Sequence, residues 1–569
     1  MKLGQVTEFD PDKGHGFIRV IGGGDRISVH HSGIQEDIKR LFKDDIVEFD
    51  IDKTHQGTEA VNVSRRIEAA NVSRRQASDS EIRENVKLDR FSLTGFKAFN
   101  KTVSLPISPI TVLAGLNSHG KSSVIDALLL LRQTLLAEKR VAGEILLDWT
   151  GPFFNVDQFE EMVYDKKPEG FCLGFRFRCK VCQKHKSYKF LKPPDADFFF
   201  VKTDFSFYKQ PDSDQISLEI SFYAYSEIDE EAFLKVKFER LDDDIFLIEM
   251  LLELPESDSK EFPPMIVPFS YFLPIWRSDN LSEDVTDREV CEFNMIYSDF
   301  FQPVVDMIEW ELLHNIKYVG PHREEPEWKY FKRKLRGNDV GSGGQDSVLL
   351  LQQHWHKKVN FVRLPEDESQ VVSWENLLEE DMELGQAINE TLRWMGMQKL
   401  KVEETAGVVQ ANFATLSPEE TWVTIADVGF GVSQILPVLT TALLADTDSI
   451  LIFEQPEIHL HPRAQARLAE LLVCFAHTGR RIIIETHSDH LINRLRRVVA
   501  EDLSDQLAEQ MSIVFVRQIA DKDGAYVDPL RVNKEGLIEN WPPDFLAEMV
   551  EDDEAIVRAG IAKRRRVKN

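Results

Sequence analysis

Hydrophobic and polar positions change rhythm along the 569-residue chain. Up to about residue 66 the pattern is short alternation: GQVTEF, GHGFIRVI, DRISVHH, DIVEFDI and EAVNVS, broken by polar turns such as Asp12-Lys13-Gly14 and Gly22-Gly23-Gly24. Five short strands in so little chain predict a small closed β-barrel over 1–66. A polar stretch over 67–85 reads as a linker. The repeat NVSRR (Asn62 to Arg66, Asn71 to Arg75) leaves a basic hinge as the alternative. From 86 to 569 the rhythm becomes that of an α/β core. ITVLA (110–114), SILIF (449–453) and RIIIE (481–485) are continuous apolar runs set among helical sequence, the mark of parallel strands buried on both faces. Between about 165 and 315, alternating aromatic-rich strands (GFRFRCK, DFFFVKTDFSF, ISLEISFYAY) give way to acidic loops and then helix, which predicts an insertion into that core.

The first of the buried strands runs into Gly115-Leu116-Asn117-Ser118-His119-Gly120-Lys121-Ser122, which fits GxxxxGK[ST] between a strand and a helix. In such a loop the glycines let backbone N–H groups wrap phosphates, and the helix N-terminus adds a positive dipole. Asn117, Ser118, His119, Gly120, Lys121, Ser122 and Ser123 are therefore the expected nucleotide-binding residues. Lys121 would reach the β and γ phosphates, and Ser122 would ligate Mg²⁺. The other two strands end on polar groups, SILIF at Glu454-Gln455-Pro456-Glu457 and RIIIE at Thr486-His487, where a metal and a water could be held.

Charge narrows the partners. Lys and Arg number 68 against 96 Asp and Glu, a net of −28, so the chain as a whole repels nucleic acid and any contact must use local basic patches. No apolar run of about 18 residues occurs, and the start (MKLGQVTEFD) lacks the core of a signal peptide. With five cysteines, an odd number, these features predict a soluble cytoplasmic protein without a membrane role.

Longer segments carry a resemblance. FSLTGFKAF, GLNSHGKSS, GPFFNVDQFEEMV, YVGPHRE, DVGFGVSQILPVL, LIFEQPEIHLHPRAQ, ETHSDHLINRLRR and GLIENWPPDFLAE, in that order, make residues 86–569 similar to ABC/SMC-type AAA ATPases of the OLD-like group found in prokaryotic defence systems. The resemblance implies an α/β P-loop core in which Glu454 holds the Ser122-bound Mg²⁺ through water and His487 senses the γ-phosphate. It also implies that Gly429, Gly431, Ser433 and Gln434 form a signature loop completing the site of a second subunit, so that ATP closes a homodimer, with higher oligomers open. Gln158 is its candidate Q-loop glutamine. One position departs from the wider group: the residue after the Mg²⁺ acid, usually Glu, is Gln455. An amide orients water but cannot take its proton, a contribution worth roughly 10²–10⁴-fold. Slow turnover is expected unless Glu457 or His487 supplies the base. No heptad repeat extends over several tens of residues, unlike SMC-like repair ATPases. The acids Glu551 to Glu554 sit in helical sequence rather than at TOPRIM-like strand ends, so no intrinsic nuclease is expected.

Residues 1–66 resemble a cold-shock domain, an OB-type barrel, through GQVTEFDPDKGHGFI, ISVHHSGI, LFKDDIVEFDI and GTEAVNV. Such barrels stack bases of single strands on surface aromatics. Phe17 and His30 are kept, but Glu8 stands where the family usually has Trp, and His15, Ser28 and His31 replace aromatic positions. Lys13, His15, Phe17, His30 and His31 are the candidates for weak or specialised single-strand binding, with protein docking the alternative. Other signals are fainter. Cys179-x₂-Cys182-x₂-His185, with Cys172 upstream, has metal-ligand spacing, but the strand pattern favours core packing over Zn²⁺. Lys332 to Arg336, Arg494 to Arg497 and Lys563 to Lys568 are local basic clusters. The leading expectation is an ATP-driven regulator of an associated effector, a nuclease by family resemblance. A repair ATPase acting on DNA ends or gaps and a non-catalytic ATP-gated scaffold are the alternatives.

Overall fold

The structure, a computed structural model, describes residues 2–10, 15–20, 26–30, 46–54, 57–65, 85–137, 147–167, 169–180, 198–210, 216–226, 232–242, 245–252, 260–261, 265–268, 301–335, 338–365, 372–415, 421–518 and 523–540. Lys13, His31, Cys182, His185, Arg336, the acids at 551–554, the basic tail and nearly all of the 67–85 linker lie outside these residues. The chain divides into two compact units, 1–85 and 86–569.

In the first unit, β1 (Lys2–Asp10), β2 (His15–Val20), β3 (Arg26–His30), β4 (Ile46–Thr54) and β5 (Gly57–Arg65) close a barrel in the order β1-β2-β3-β5-β4. Alternation sends Ile18, Ile27, Val29 and Ala60 inward, where they are buried. The barrel read from the sequence is present.

The second unit opens with the antiparallel pair β6 (Val86–Thr94) and β7 (Val103–Pro106), then β8 (Ile110–Ala114), the Gly-rich loop and helix α1 (Lys121–Leu136). β9 (Phe171–Lys180), β10 (Phe198–Lys209), β11 (Ile216–Ser226), β12 (Ala232–Asp242), β13 (Ile245–Leu252), β14 (Lys260–Glu261) and β15 (Met265–Pro268) follow. The strands from the segment expected as an insertion share one sheet with β6 and β7, in the order β14-β13-β12-β11-β10-β9-β6-β7, with β15 on β13. Alternation tells a strand which faces it has, not which neighbour it takes. Here β9 pairs with β6 from Val86↔Cys179 to Thr94↔Cys172. Phenylalanines hold the buried face, with ring centroids 5.3 Å apart for Phe91–Phe175 and 5.2 Å for Phe222–Phe301.

Helix α2 (Gln302–Trp310) and a π-helical turn lead to β16 (Ile316–Val319). There follow β17 (Tyr330–Phe331), α3 (Ser347–His354), β18 (Lys358–Val362), β19 (Glu379–Glu383), α4 (Leu384–Trp394), β20 (Leu400–Thr405), β21 (Val408–Ala414) and β22 (Trp422–Thr424). The core closes with α5 (Phe430–Leu444), β23 (Ile450–Glu454), α6 (Pro462–His477), β24 (Arg481–Glu485), α7 (Asp489–Glu501), β25 (Met511–Gln518) and β26 (Ala525–Leu530). The core sheet runs β16-β23-β24-β8-β25-β26, parallel except at β26. Every residue of β8 and β23 is buried, because α5 packs on β16 and β23 while α6 packs on β8 and β24.

Candidate nucleotide site

Parallel strands gather their carboxyl ends on one edge, where loops can cradle a ligand. There Glu454 is the register partner of Glu485, and Glu485 that of Leu113. The loop after β8 turns on glycines at positive φ, Gly115 at 139° and Gly120 at 101°. A Cβ at 115 would lie 2.2 Å from the carbonyl oxygen of Val516, so close approach as well as conformation requires glycine. Gly120 hands the chain to α1, whose first N–H groups have no side-chain cap and suit an anion.

A cavity of about 430 Å³ occupies this edge. Asn117, Ser118, Gly120, Lys121, Ser122 and Ser123 line it, facing Gln455, Glu485 and His487 from the neighbouring strand ends. His119 is not on its wall; its Nδ1 is buried without a partner. The Lys121 ammonium donates to the carbonyl oxygens of Gly115 (3.0 Å) and Leu116 (2.7 Å). Burial lowers its pKa, and the Glu485 carboxylate partly offsets that. A phosphate would draw this amine off its two carbonyls. Asp126, also on the wall, pairs with Lys97 at 2.8 Å.

The two strand-end acids differ in placement. Glu454 is 6% exposed, accepts a hydrogen bond from the Tyr318 hydroxyl at 2.7 Å and does not line the cavity. Glu485 does, and its two carboxylate oxygens accept from the Ser122 hydroxyl at 3.0 and 3.2 Å. Burial raises both carboxyl pKa values; Glu485 adds to the rise at Glu454, while a hydrogen bond from Glu454 holds Glu485 down. Arg323 ties the carbonyl oxygens of Glu454 (3.0 Å) and Gln455 (3.3 Å) together, and burial brings its pKa down to about 10. Tyr318 is pushed up by burial and then by Glu454. Both belong to the YVGPHRE segment, whose presence was visible in sequence but whose task was not. The Glu485 carboxylate and the Ser122 hydroxyl are hard oxygen donors that suit Mg²⁺, which takes its remaining ligands from phosphate and water. Among the described residues no three His, Cys, Asp or Glu groups gather as a metal site.

Gln455 sits on the wall with left-handed backbone (φ 45°), uncommon for a residue with a side chain, and its N–H donates to the Glu485 carbonyl at 2.7 Å. Glu457 is buried away from the cavity; one oxygen accepts from the Thr486 hydroxyl (2.7 Å) and the His487 N–H (2.9 Å). That geometry makes it a strut under His487. His487 keeps much of its surface open, and partial loss of solvent around the ring, then Lys121, lowers its pKa. Gln158 is exposed at the start of a short 3₁₀ turn and does not line the cavity. Gly429, Gly431, Ser433 and Gln434 lie at the start of α5, also off the wall, with Ser433 and Gln434 buried and Gly429 exposed. A larger cavity, about 520 Å³, lies between the 324–333 segment, the 344–349 segment and α5, and holds no residue of the phosphate loop.

The basic clusters are answered locally. Lys332 pairs with Glu404, Arg333 with Asp346, Arg494 with Glu470 and Arg497 with Glu501, while Arg496 donates to the Gly536 carbonyl. Cys179 is buried in β9, where burial raises its thiol pKa, as expected of a core cysteine. In the barrel, His15 pairs with His30 and Phe17 with Ser28 across β2 and β3. Their neighbours Ile18, Ile27 and Val29 are buried, so the four share the outer face. In backbone register Glu8 is also opposite Phe17. Among the described residues no helix is long and apolar enough to cross a membrane.

Comparison with known proteins fits both units. Residues 2–66 match the "'Cold-shock' DNA-binding domain" family. Over 64 residues the chain is 42% identical to cold shock protein CspB of Bacillus caldolyticus, and over 66 residues 42% identical to cold shock-like protein CspD of Bacillus cereus. These alignments span 11% of this chain and 96% and 98% of those proteins. Similar solved structures include an SmcHead bound to the C-winged helix domain of ScpA (12% identity, 79% of this chain and 98% of that one, TM-score 0.36). Another is the SMC head domain from Thermotoga maritima (10% identity, 78% and 100%, TM-score 0.29). At those TM-scores the likeness adds nothing to the sheet order and phosphate loop. Residues 110–493, about two thirds of the chain, match the family described as "AAA domain, putative AbiEii toxin, Type IV TA system". The chain thus belongs to this AAA-domain family and carries a cold-shock domain at its N-terminal end.

Proposed function

We propose that this protein binds ATP with Mg²⁺, hydrolyses it slowly, and uses the nucleotide to close a homodimer that senses infection and regulates an associated effector in prokaryotic anti-phage defence. The observation that carries the reading is one cavity with Lys121 and Ser122 on one side and Gln455, Glu485 and His487 on the other. Loop N–H groups and Lys121 would hold the phosphates, and Mg²⁺ would neutralise charge on them beside Ser122 and the strand-end acids. His487, steadied through its backbone by Glu457, is placed to meet the terminal phosphate. Gln455 can orient water without taking its proton, which favours a long-lived ATP state. The exposed Gly429 end of α5 is the part of the signature loop available to a second subunit. A defence role, with a nuclease as effector, rests on the resemblance and on the toxin–antitoxin wording of the family description. The barrel would contribute weak single-strand contact through His15, Phe17 and His30.

The test is ATP binding and phosphate release by the full chain with Lys121→Ala and Gln455→Glu. Lys121→Ala should abolish ATP binding, and Gln455→Glu should raise turnover about tenfold or more. A wild type faster than Gln455→Glu refutes the slow-switch assignment. Turnover that needs DNA favours a repair-type ATPase, and ATP-dependent dimerisation with no turnover favours a scaffold.

A further inference from the structure

We propose that Glu485 is a direct oxygen ligand of the divalent cation that accompanies the nucleotide, beside the Ser122 hydroxyl, with Glu454 standing behind it. The inference rests on the nucleotide reading and names the residue that holds its metal. Position comes first: of the two strand-end acids only Glu485 lines the cavity, whereas Glu454 is turned to the Tyr318 hydroxyl and its backbone carbonyl is held by Arg323.

Distance agrees. Neighbouring ligands of an octahedral Mg²⁺ with bonds of 2.0–2.1 Å stand about 2.9 Å apart. The Ser122 hydroxyl and the nearer Glu485 oxygen are 3.0 Å apart, so one cation can take both with little movement. The strand end is fixed on both sides. The Gln455 N–H donates to the Glu485 carbonyl at 2.7 Å, and the Thr486 N–H donates to the Leu113 carbonyl at 3.1 Å. A ligand held this way needs no reorganisation when the metal arrives. Finally, Glu485 is 3% exposed, and the Lys121 amine that acts on it is directed to the carbonyl oxygens of Gly115 and Leu116. A buried carboxylate compensated only in part is costly, and a divalent ion would supply the rest.

The experiment measures ATP affinity of the full chain in EDTA and in Mg²⁺, and Mn²⁺ binding in the presence of ATP by electron paramagnetic resonance. Wild type, Glu485→Gln, Glu485→Asp and Glu454→Gln are compared. Glu485→Gln should bind ATP in EDTA at least as tightly as wild type, because a negative charge beside the phosphates is gone, should show a cooperative melting transition that confirms folding, and should lose about 10–100-fold in Mn²⁺ affinity. Glu485→Asp should fall between the two. If Glu485→Gln keeps the full cation dependence while Glu454→Gln loses it, the assignment is overturned. Normal Mn²⁺ binding by Glu485→Gln with abolished turnover would make Glu485 the base for water instead, and also overturns it. Failure of the wild type to bind ATP under either condition would remove the nucleotide reading itself.

Discussion

A carboxyl group buried beside a second acid keeps its proton longer than one in water, and for Glu454 the midpoint moves up to about 8, although the hydrogen bond from Tyr318 opposes the shift. The unfolded chain releases the same proton in the ordinary carboxylate range, near 4.3. Between those values the native state binds more protons than the unfolded state, so stability falls as pH rises. Without nucleotide or divalent cation, the melting temperature should drop between pH 5 and 8 by more in wild type than in Glu454→Gln. At pH 8 the variant should melt about 2–5 °C higher by calorimetry, and the difference should vanish below pH 4.5. Equal slopes for the two proteins would contradict a proton held by Glu454. At this scale the sequence exposed the phosphate-loop residues and both strand-end motifs, because spacing and type alone define them. It hid Glu485, which looks like the last residue of an apolar strand. The available clue was symmetry: ILIFE and RIIIE both end apolar runs on an acid. Which of the two acids faces Ser122 depends on register and on Tyr318, neither of which one sequence displays.

Helix α1 does more than follow the phosphate loop. Its Gln133 is buried and uses its whole amide: Nε2 donates to the carbonyl oxygens of Asp148 (3.0 Å) and Phe154 (2.9 Å), and Oε1 accepts from the N–H groups of Phe153 and Phe154 (3.0 Å each). Next to it Arg132 donates to Asp339 at 2.8 Å and stacks over Phe153, its guanidinium carbon 4.5 Å from the ring centroid. The 148–154 loop is thus bolted to the helix that carries Lys121 and Ser122. Gln133→Leu keeps the volume but strands three backbone groups (the Asp148 carbonyl and the N–H groups of Phe153 and Phe154, the Phe154 carbonyl keeping the Gly151 N–H at 3.0 Å), each of which costs about 1–3 kcal/mol if it stays buried and unpaired. Partial solvation of a freed loop lowers the sum, so urea denaturation should show a loss of about 2–5 kcal/mol, with faster proteolysis at 148–156. A loss under 0.5 kcal/mol would mean that the loop holds by other contacts. The elements themselves were largely legible from rhythm. The connection of β9 to β6 was not, since that pairing is fixed by which sheet edges meet, a long-range choice outside any local window.

For the whole molecule the net charge is −28, and among the described residues Lys332, Arg333, Arg494 and Arg497 are already paired with carboxylates, so these positions offer little to a phosphate backbone. Any single-strand binding should then come from stacking on the barrel, with a shallow salt dependence. Phe17→Ala in the full chain should weaken a fluorescent oligonucleotide about tenfold or more and leave ATP affinity unchanged. An unchanged oligonucleotide affinity would assign the barrel face to protein docking. The closed barrel was legible in the alternation of its five short strands, and closure leaves it no open sheet edge.

Lys121 closes the phosphate loop on itself. Its amine rests on the carbonyl oxygens of Gly115 and Leu116, so an arriving anion must outbid two acceptors already in place. A free monovalent anion offers one charge for that exchange and gains little. A triphosphate brings several oxygens that can also engage the loop N–H groups and the start of α1, so the displacement is repaid at many points together. The lysine therefore acts as a threshold, which keeps the site quiet among the small anions of a cell and lets a polyphosphate through.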